Sequence, residues 1–100
     1  MYKEILIPAD EFCANHHIEI SFISSLQETG LIEITTIEET GYIPASQLQQ
    51  LEKFVRLKNE LDINLEGIDT ITNLLQRIND MKDEITALKN RLRLYETDSL

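Results

Sequence analysis

The sequence predicts a mainly α-helical fold: a helix-turn-helix head with a small β-hairpin wing, followed by a long helix with a heptad pattern. Two observations predict the head. Two short helical patterns are separated by a tight break, and a β-branched run then meets a turn that reverses the chain. A third observation predicts the tail, where apolar residues alternate at spacings of three and four. We expect residues 1–65 to form the head and residues 66–100 to form a helix packed with the head or with a partner chain.

The head begins with a strand pattern and a short helix. Residues 2–7 favour a strand, which Pro8 is expected to end. A helix is predicted from Asp10 to about Asn15, because acidic residues favour the positive end of the helix dipole. His16 and His17 are expected to form the break, with His17 in a turn conformation that glycine adopts more easily.

A second helix and a hairpin complete the helix-turn-helix pattern and its wing. The helix is predicted over residues 19–29, with Gly30 as its C-terminal cap. The residues expected on its buried side are Ile18, Phe22, Ile23 and Leu26. Five of the seven residues 31–37 are β-branched, which favours a strand, and residues 38–41 are predicted to turn the chain back through residues 42–43. Pro44 ends this hairpin.

The rest of the chain is predicted to be helical. Ser46 and Gln49 fit a capping box, so a third helix is expected to open there and to run to about Leu61. Residues 62–65 interrupt the pattern, and a fourth helix is predicted over residues 66–95. Its apolar seam consists of Ile71, Leu74, Ile78, Met81, Ile85, Leu88, Leu92 and Tyr95. This period predicts a coiled coil and a homodimer. A single helix packed on its own head is the alternative, and the flanking charges leave the strand direction open.

Composition favours a soluble, non-enzymatic protein. The chain has no apolar run long enough to span a bilayer and no secretory signal pattern, so we expect it in the cytoplasm. No catalytic motif and no phosphate-binding glycine loop is found, and no cofactor is expected. Cys13, His16 and His17 have the spacing of metal ligands on a helix, but no fourth ligand accompanies them. We therefore expect no metal and interpret them as a buried thiol beside two turn histidines.

The distribution of charge argues against DNA binding. Residues 1–52 contain one base, Lys3, and nine acids, giving −8, whereas residues 53–100 contain eight bases and nine acids, giving −1. A DNA reader needs bases that neutralise phosphates. An acidic head can instead steer a basic protein partner, although a solubilising surface is an equal alternative. The partner-binding candidates are Glu19, Glu28, Glu33, Glu38 and Glu39.

Three segments resemble a known family. They are residues 11–13, residues 26–33 and, most specifically, residues 56–68, where Arg-Leu-Lys-Asn-Glu-Leu is soon followed by Gly-Ile. Over about residues 5–95 the order of elements resembles the chaperone-modulator CbpM family, whose fold is related to the winged helix-turn-helix of MerR regulators. His17 stands where this family usually has glycine, and Glu19 stands where it usually has serine.

The resemblance implies a function. Proteins of this family bind the J-domain of a DnaJ-like co-chaperone of the CbpA type and restrain its action by competing with Hsp70. A J-domain presents a basic helix, which would complement an acidic head. Two other classes stay open at this point: a MerR-like DNA-binding transcriptional regulator, and a purely structural subunit.

Overall fold

The computed structural model describes residues 4–98, and within that range it contains four α-helices and one three-stranded sheet. The elements are β1 (Leu6–Pro8), α1 (Ala9–His16), α2 (Ile20–Glu28), β2 (Thr35–Ile37), β3 (Thr40–Pro44), α3 (Leu48–Leu61) and α4 (Leu65–Asp98). A short 3-10 turn, Ala45–Gln47, precedes α3. The predicted mainly α-helical fold, with its hairpin wing and long C-terminal helix, is therefore confirmed.

The chain divides into two compact units, with the boundary between Asp69 and Thr70. The boundary lies inside α4, so the first five residues of that helix belong to the first unit. The sequence-based division after residue 65 stays a prediction. Within the described range, no helix combines the length and the apolar character that crossing a membrane requires.

The hairpin wing is formed by β2 and β3, and its turn is tighter than predicted. Ile37 pairs with Thr40, which leaves two turn residues, Glu38 and Glu39, with φ angles of 49° and 66°. The prediction of a turn over residues 38–41 is wrong, because Thr40 and Gly41 already belong to β3. Two positive φ angles in a two-residue hairpin are typical of a type I′ turn, whose twist matches that of the strands.

The third strand of the sheet is the N-terminal one. β1 pairs antiparallel with β3, which lies in the centre of the sheet, and Pro8 is opposite Tyr42. The predicted strand over residues 2–7 is therefore corrected: within the described residues it starts at Leu6 and includes Pro8, while Tyr2 and Lys3 lie outside the described residues. Proline is tolerated because β1 is an edge strand and needs no donor on its outer side.

The core of the first unit joins the sheet to all four helices. Ile43 of β3, Leu26 of α2, Leu51 of α3 and Ile68 of α4 are fully buried together. The other buried apolar side chains are Ala9, Phe12, Cys13, Phe22, Ile23, Ile32, Phe54 and Val55. Burial of one large aliphatic side chain contributes about 1.5–3 kcal/mol, so this cluster fixes the relation between the hairpin and α2.

The third helix begins differently from the prediction. α3 starts at Leu48 after the 3-10 turn, and neither Ser46 nor Gln47 caps it with a side-chain hydrogen bond. The predicted capping box of Ser46 and Gln49 is therefore wrong. The Ser46 backbone N–H instead donates to Glu4 Oε1 at 3.1 Å, a partner 42 residues away in sequence. α3 ends at Leu61 as predicted.

Candidate partner-binding groove

The break between α1 and α2 sets the direction of α2. α1 ends at His16, and His17 has φ 54° and ψ 47°, the left-handed turn conformation expected for it. The Ile18 N–H then donates to the carbonyl of Cys13 at 3.1 Å, which closes the turn. The predicted helix-turn-helix break is confirmed at His17, which adopts a conformation that favours glycine. His16, which was expected in the break, instead belongs to α1, so this helix extends one residue beyond the predicted range at each end.

The two sides of α2 differ in character. Phe22, Ile23 and Leu26 are buried, as predicted, which leaves polar residues on the opposite side. The helix ends in a Schellman motif, where Gly30 has φ 80° and the Leu31 N–H donates to the Leu26 carbonyl at 2.9 Å. The predicted cap at Gly30 is confirmed, although α2 is one residue shorter at each end than predicted.

A groove of about 300 Å³ lies between α2, the start of α1 and the hairpin. Its apolar lining includes Ile20, which is 47% exposed, and Ile34, which is partly buried. The full lining comprises Ala9, Asp10, Ile20, Ile23, Ser24, Gln27, Ile34, Thr36, Glu39, Thr40 and Gly41. An exposed isoleucine in a concave surface offers an apolar contact to a partner.

The charges of the groove are all negative. Asp10 comes from the first turn of α1, and Glu39 comes from the hairpin turn. Among the described side chains that line this groove, none is a lysine or an arginine. The groove therefore combines an apolar surface with two carboxylates, a combination suited to a cationic, partly apolar protein segment.

The structure distributes the five predicted contact residues over the head. Glu39 lines the groove, Glu38 is its neighbour in the turn, and Glu19 directly precedes Ile20, with its carboxylate accepting a hydrogen bond from Ser21 Oγ at 3.3 Å. Glu28 ends α2, and the Glu33 N–H donates to Gln47 Oε1 at 3.1 Å. All five are exposed, but Glu28 and Glu33 do not line the groove.

Asp10 is the acidic groove residue that sequence reasoning missed. From the sequence, its position is explained locally, because an acidic residue in the first turn of α1 favours the helix dipole. Only the fold brings this carboxylate to the same groove as Glu39, from an element about 30 residues earlier in the chain. The sequence places Asp10 in the first turn of a helix, a position that acidic residues occupy in many helices, so it does not single out Asp10 as a binding residue.

The family assignment rests on a match over most of the chain. The family model described as MerR HTH family regulatory protein matches residues 7–90, which include the helix-turn-helix, the hairpin and most of α4. The chain belongs to the MerR HTH family. No curated protein matches this MerR-family sequence.

Three bases of this MerR-family head, Lys53, Arg56 and Lys58, belong to α3, and none of them lines the groove. Lys58 Nζ lies 5.4 Å from the centroid of the Phe22 ring, on the side of α2 that faces the core. Arg56 lines a different groove, of about 340 Å³, together with His16 and Glu60. Positions 56 and 58 are about 200° apart around a helix, so these two bases do not form one cationic stripe along α2.

The three residues weighed as metal ligands have separate environments. Cys13 is buried, and burial, aided by the Asp10 carboxylate, raises the pKa of its thiol. The His16 ring stacks on Phe12 at 4.0 Å, whereas His17 is exposed. In the part of the chain that the structure describes, no three histidine, cysteine or carboxylate residues are grouped to hold a metal.

The predicted dimerisation seam lies along α4 of this MerR-family chain. Ile71 is partly buried, and the other seam residues are about half exposed or more: Leu74, Ile78, Met81, Ile85, Leu88, Leu92 and Tyr95. A helix with an exposed stripe of this length has apolar surface available for a partner helix. Pairing through the seam stays a prediction.

Proposed function

We propose that this MerR-family chain is a non-enzymatic chaperone modulator of the cytoplasm that binds the J-domain of a DnaJ/CbpA-like co-chaperone and restrains its action on Hsp70. The observation that carries the proposal is the groove beside α2, which contains Asp10 and Glu39 and no base. The resemblance of residues 56–68 to the chaperone-modulator family supplies the identity of the partner.

The charge of the groove disfavours nucleic acid as the ligand. A duplex carries one negative charge per about 1.7 Å of its axis, so a bound protein must supply cations to the phosphates. In this head, acidic residues instead stand just before α2 (Glu19), at its end (Glu28) and in the hairpin turn (Glu38 and Glu39). These carboxylates would repel a phosphate backbone placed along α2, whereas they would attract a basic helix.

Electrostatic attraction would mainly set the rate and the specificity of association. Complementary charge raises association rates above about 10⁵–10⁶ M⁻¹s⁻¹ and disfavours acidic competitors. Ile20 and Ile34 would then contribute apolar contact once the partner is seated. Steering by exposed carboxylates also predicts that the association rate falls as salt is added.

A titration with an isolated CbpA-type J-domain tests the proposal. We expect Glu38→Lys/Glu39→Lys to slow association by about tenfold or more and to reduce its dependence on salt. The matched control is Glu52→Lys/Glu60→Lys, which makes the same charge change on exposed residues of α3 outside the groove. Equal association rates for the two variants would reject steering by the groove, and absence of J-domain binding by the wild type would reject the proposal.

The competing function is a MerR-like DNA-binding transcriptional regulator. The family assignment favours it, and so do Ser24 and Gln27, polar groove residues that are able to hydrogen-bond to bases. Fluorescence polarisation with random duplex DNA at low salt separates the two functions. An affinity that falls steeply with salt would support the regulator, and no binding would support the adaptor.

A homodimer through the seam of α4 forms part of the proposal. Burial of the half-exposed Ile85 and Leu88 between two helices would stabilise the pair. We expect Ile85→Asp/Leu88→Asp to give monomers by light scattering. The control Asp83→Asn/Asn90→Asp changes residues outside the seam, so its molar mass by light scattering should equal that of the wild-type dimer.

A further inference from the structure

We infer that the groove beside α2 also accepts a second copy of this chain, through the C-terminal part of that copy's α4. This inference goes beyond the proposed function, and it rests on the chemistry of two surfaces of the same protein. One is the acidic, partly apolar groove containing Asp10, Ile20, Ile34 and Glu39. The other is a cationic, apolar stretch of helix over residues 85–95.

Residues 85–95 have the composition that the groove requires. They contain no acid and three bases, a charge of +3, whereas residues 1–52 carry −8. Within this stretch Ile85, Leu88 and Leu92 are between 50% and 58% exposed and follow the spacing of one helix face. At about 100° per residue, Lys89 and Arg91 lie on opposite sides of that apolar face.

The groove and the helix segment are complementary in charge and in apolar surface. The apolar face of the segment would contact Ile20 and Ile34, while its flanking bases would approach the carboxylates of Asp10 and Glu39. An amphipathic helix laid in a groove, with apolar anchors at i, i+3 and i+7, is a known mode of protein recognition. The contact would be heterologous, because the groove of one copy meets the helix of the other.

Docking in the groove and pairing through the seam would exclude each other. Both use Ile85, Leu88 and Leu92, so one helix segment is unable to serve both contacts at once. The two contacts respond differently to salt, since the Debye length falls from about 30 Å at 0.01 M to about 8 Å at 0.15 M. Groove docking would therefore weaken as salt is added, whereas apolar seam pairing would persist.

The test is a titration of the full chain with a labelled peptide of residues 85–95, monitored by fluorescence anisotropy at low salt. We expect Asp10→Asn/Glu39→Lys to weaken peptide binding by about tenfold or more. Glu60→Gln/Glu52→Lys, a matched charge change outside the groove, should leave binding within about twofold of the wild type. The peptide variant Lys89→Glu/Arg91→Glu should also lose affinity for the wild-type chain.

Each outcome decides the inference. Equal binding of the peptide to Asp10→Asn/Glu39→Lys and to Glu60→Gln/Glu52→Lys would indicate binding at the seam and would overturn groove docking. Absence of peptide binding to the wild type would also overturn it. Thermal unfolding checks that the variants fold, and Ile20→Ser, at an exposed groove position, provides a second disruption that leaves the charge unchanged. No J-domain is present in this assay, so its failure is distinguishable from failure of the proposed function.

Discussion

The Asn64 side chain accepts a hydrogen bond of 2.9 Å from the Gly67 N–H and so caps the start of α4. A Cβ added at Gly67 would lie 2.6 Å from Ile63 Cγ2 and 3.2 Å from Asn64 Oδ1. Alanine normally stabilises a helix by about 1 kcal/mol relative to glycine. Because Ile63 packs against the core, we expect the clash to outweigh this gain.

Gly67→Ala should therefore lower the free energy of unfolding by about 1 kcal/mol or more in urea titrations. Asn64→Ala should lower it by about 0.5–2 kcal/mol through loss of the cap, and Asn64→Asp should retain most of the stability because aspartate also caps helices. An increase in stability for Gly67→Ala would contradict the predicted clash at the start of α4.

The hairpin turn places two glutamates in a conformation that favours asparagine and glycine. Left-handed backbone costs a residue with a Cβ about 1–2 kcal/mol, and Glu38 and Glu39 both adopt it. We expect Glu38→Asn/Glu39→Gly to raise the free energy of unfolding by about 1–2 kcal/mol. Glu38→Gln/Glu39→Gln removes the same charges without relieving the turn. An equal gain in both variants would assign the effect to charge repulsion.

The cation–π contact between Lys58 and Phe22 should make a small contribution to stability. Contacts of this kind at exposed sites are worth about 0.5–1 kcal/mol, so Lys58→Ala should lower the free energy of unfolding by that amount. Lys58→Arg should retain the contact. As a control, Lys53→Ala changes an exposed base of the same helix, and a loss as large as that of Lys58→Ala would count against a specific role for the Phe22 ring.

The carboxylate of Glu4 should make stability depend on acid pH. Hydrogen bonds from the side chain and the backbone of Ser46 lower the pKa of Glu4 below its ordinary value of 4.5. Its contribution is therefore complete above that value and is lost as pH falls through the lower folded-state pKa. The stabilities of the wild type and Glu4→Gln should differ most above pH 4.5 and converge as the pH falls through the lowered pKa of Glu4. A constant difference over this range would argue against the role of the charged form.

Local patterns were sufficient to predict most of the secondary structure. The left-handed turn at His17, the cap at Gly30 and the end of α3 at Leu61 each depend on residues that are close in sequence. The predicted turn over residues 38–41 is two residues too long, because two glutamates are unusual in a type I′ turn. In that case, pairing of the strands overrides the preference of the turn residues.

Contacts between distant residues could not be predicted in the same way. The bond from Ser46 to Glu4 replaces the expected capping box, and the pairing of β1 with β3 joins segments more than 30 residues apart. The groove is another example, because Asp10 and Glu39 line it together only after the chain has folded. Composition alone shows that the head is acidic. It does not show which carboxylates lie beside exposed apolar side chains in the groove.

The shielded thiol of Cys13 makes the wild-type protein a suitable background for single-site labelling. Maleimide dyes react with exposed thiolates, and a buried thiol with a raised pKa provides few of them near neutral pH. A cysteine introduced at the exposed Ser24 would thus carry the fluorophore selectively. Because Ser24 lines the groove, the emission of such a dye would report directly on what occupies it.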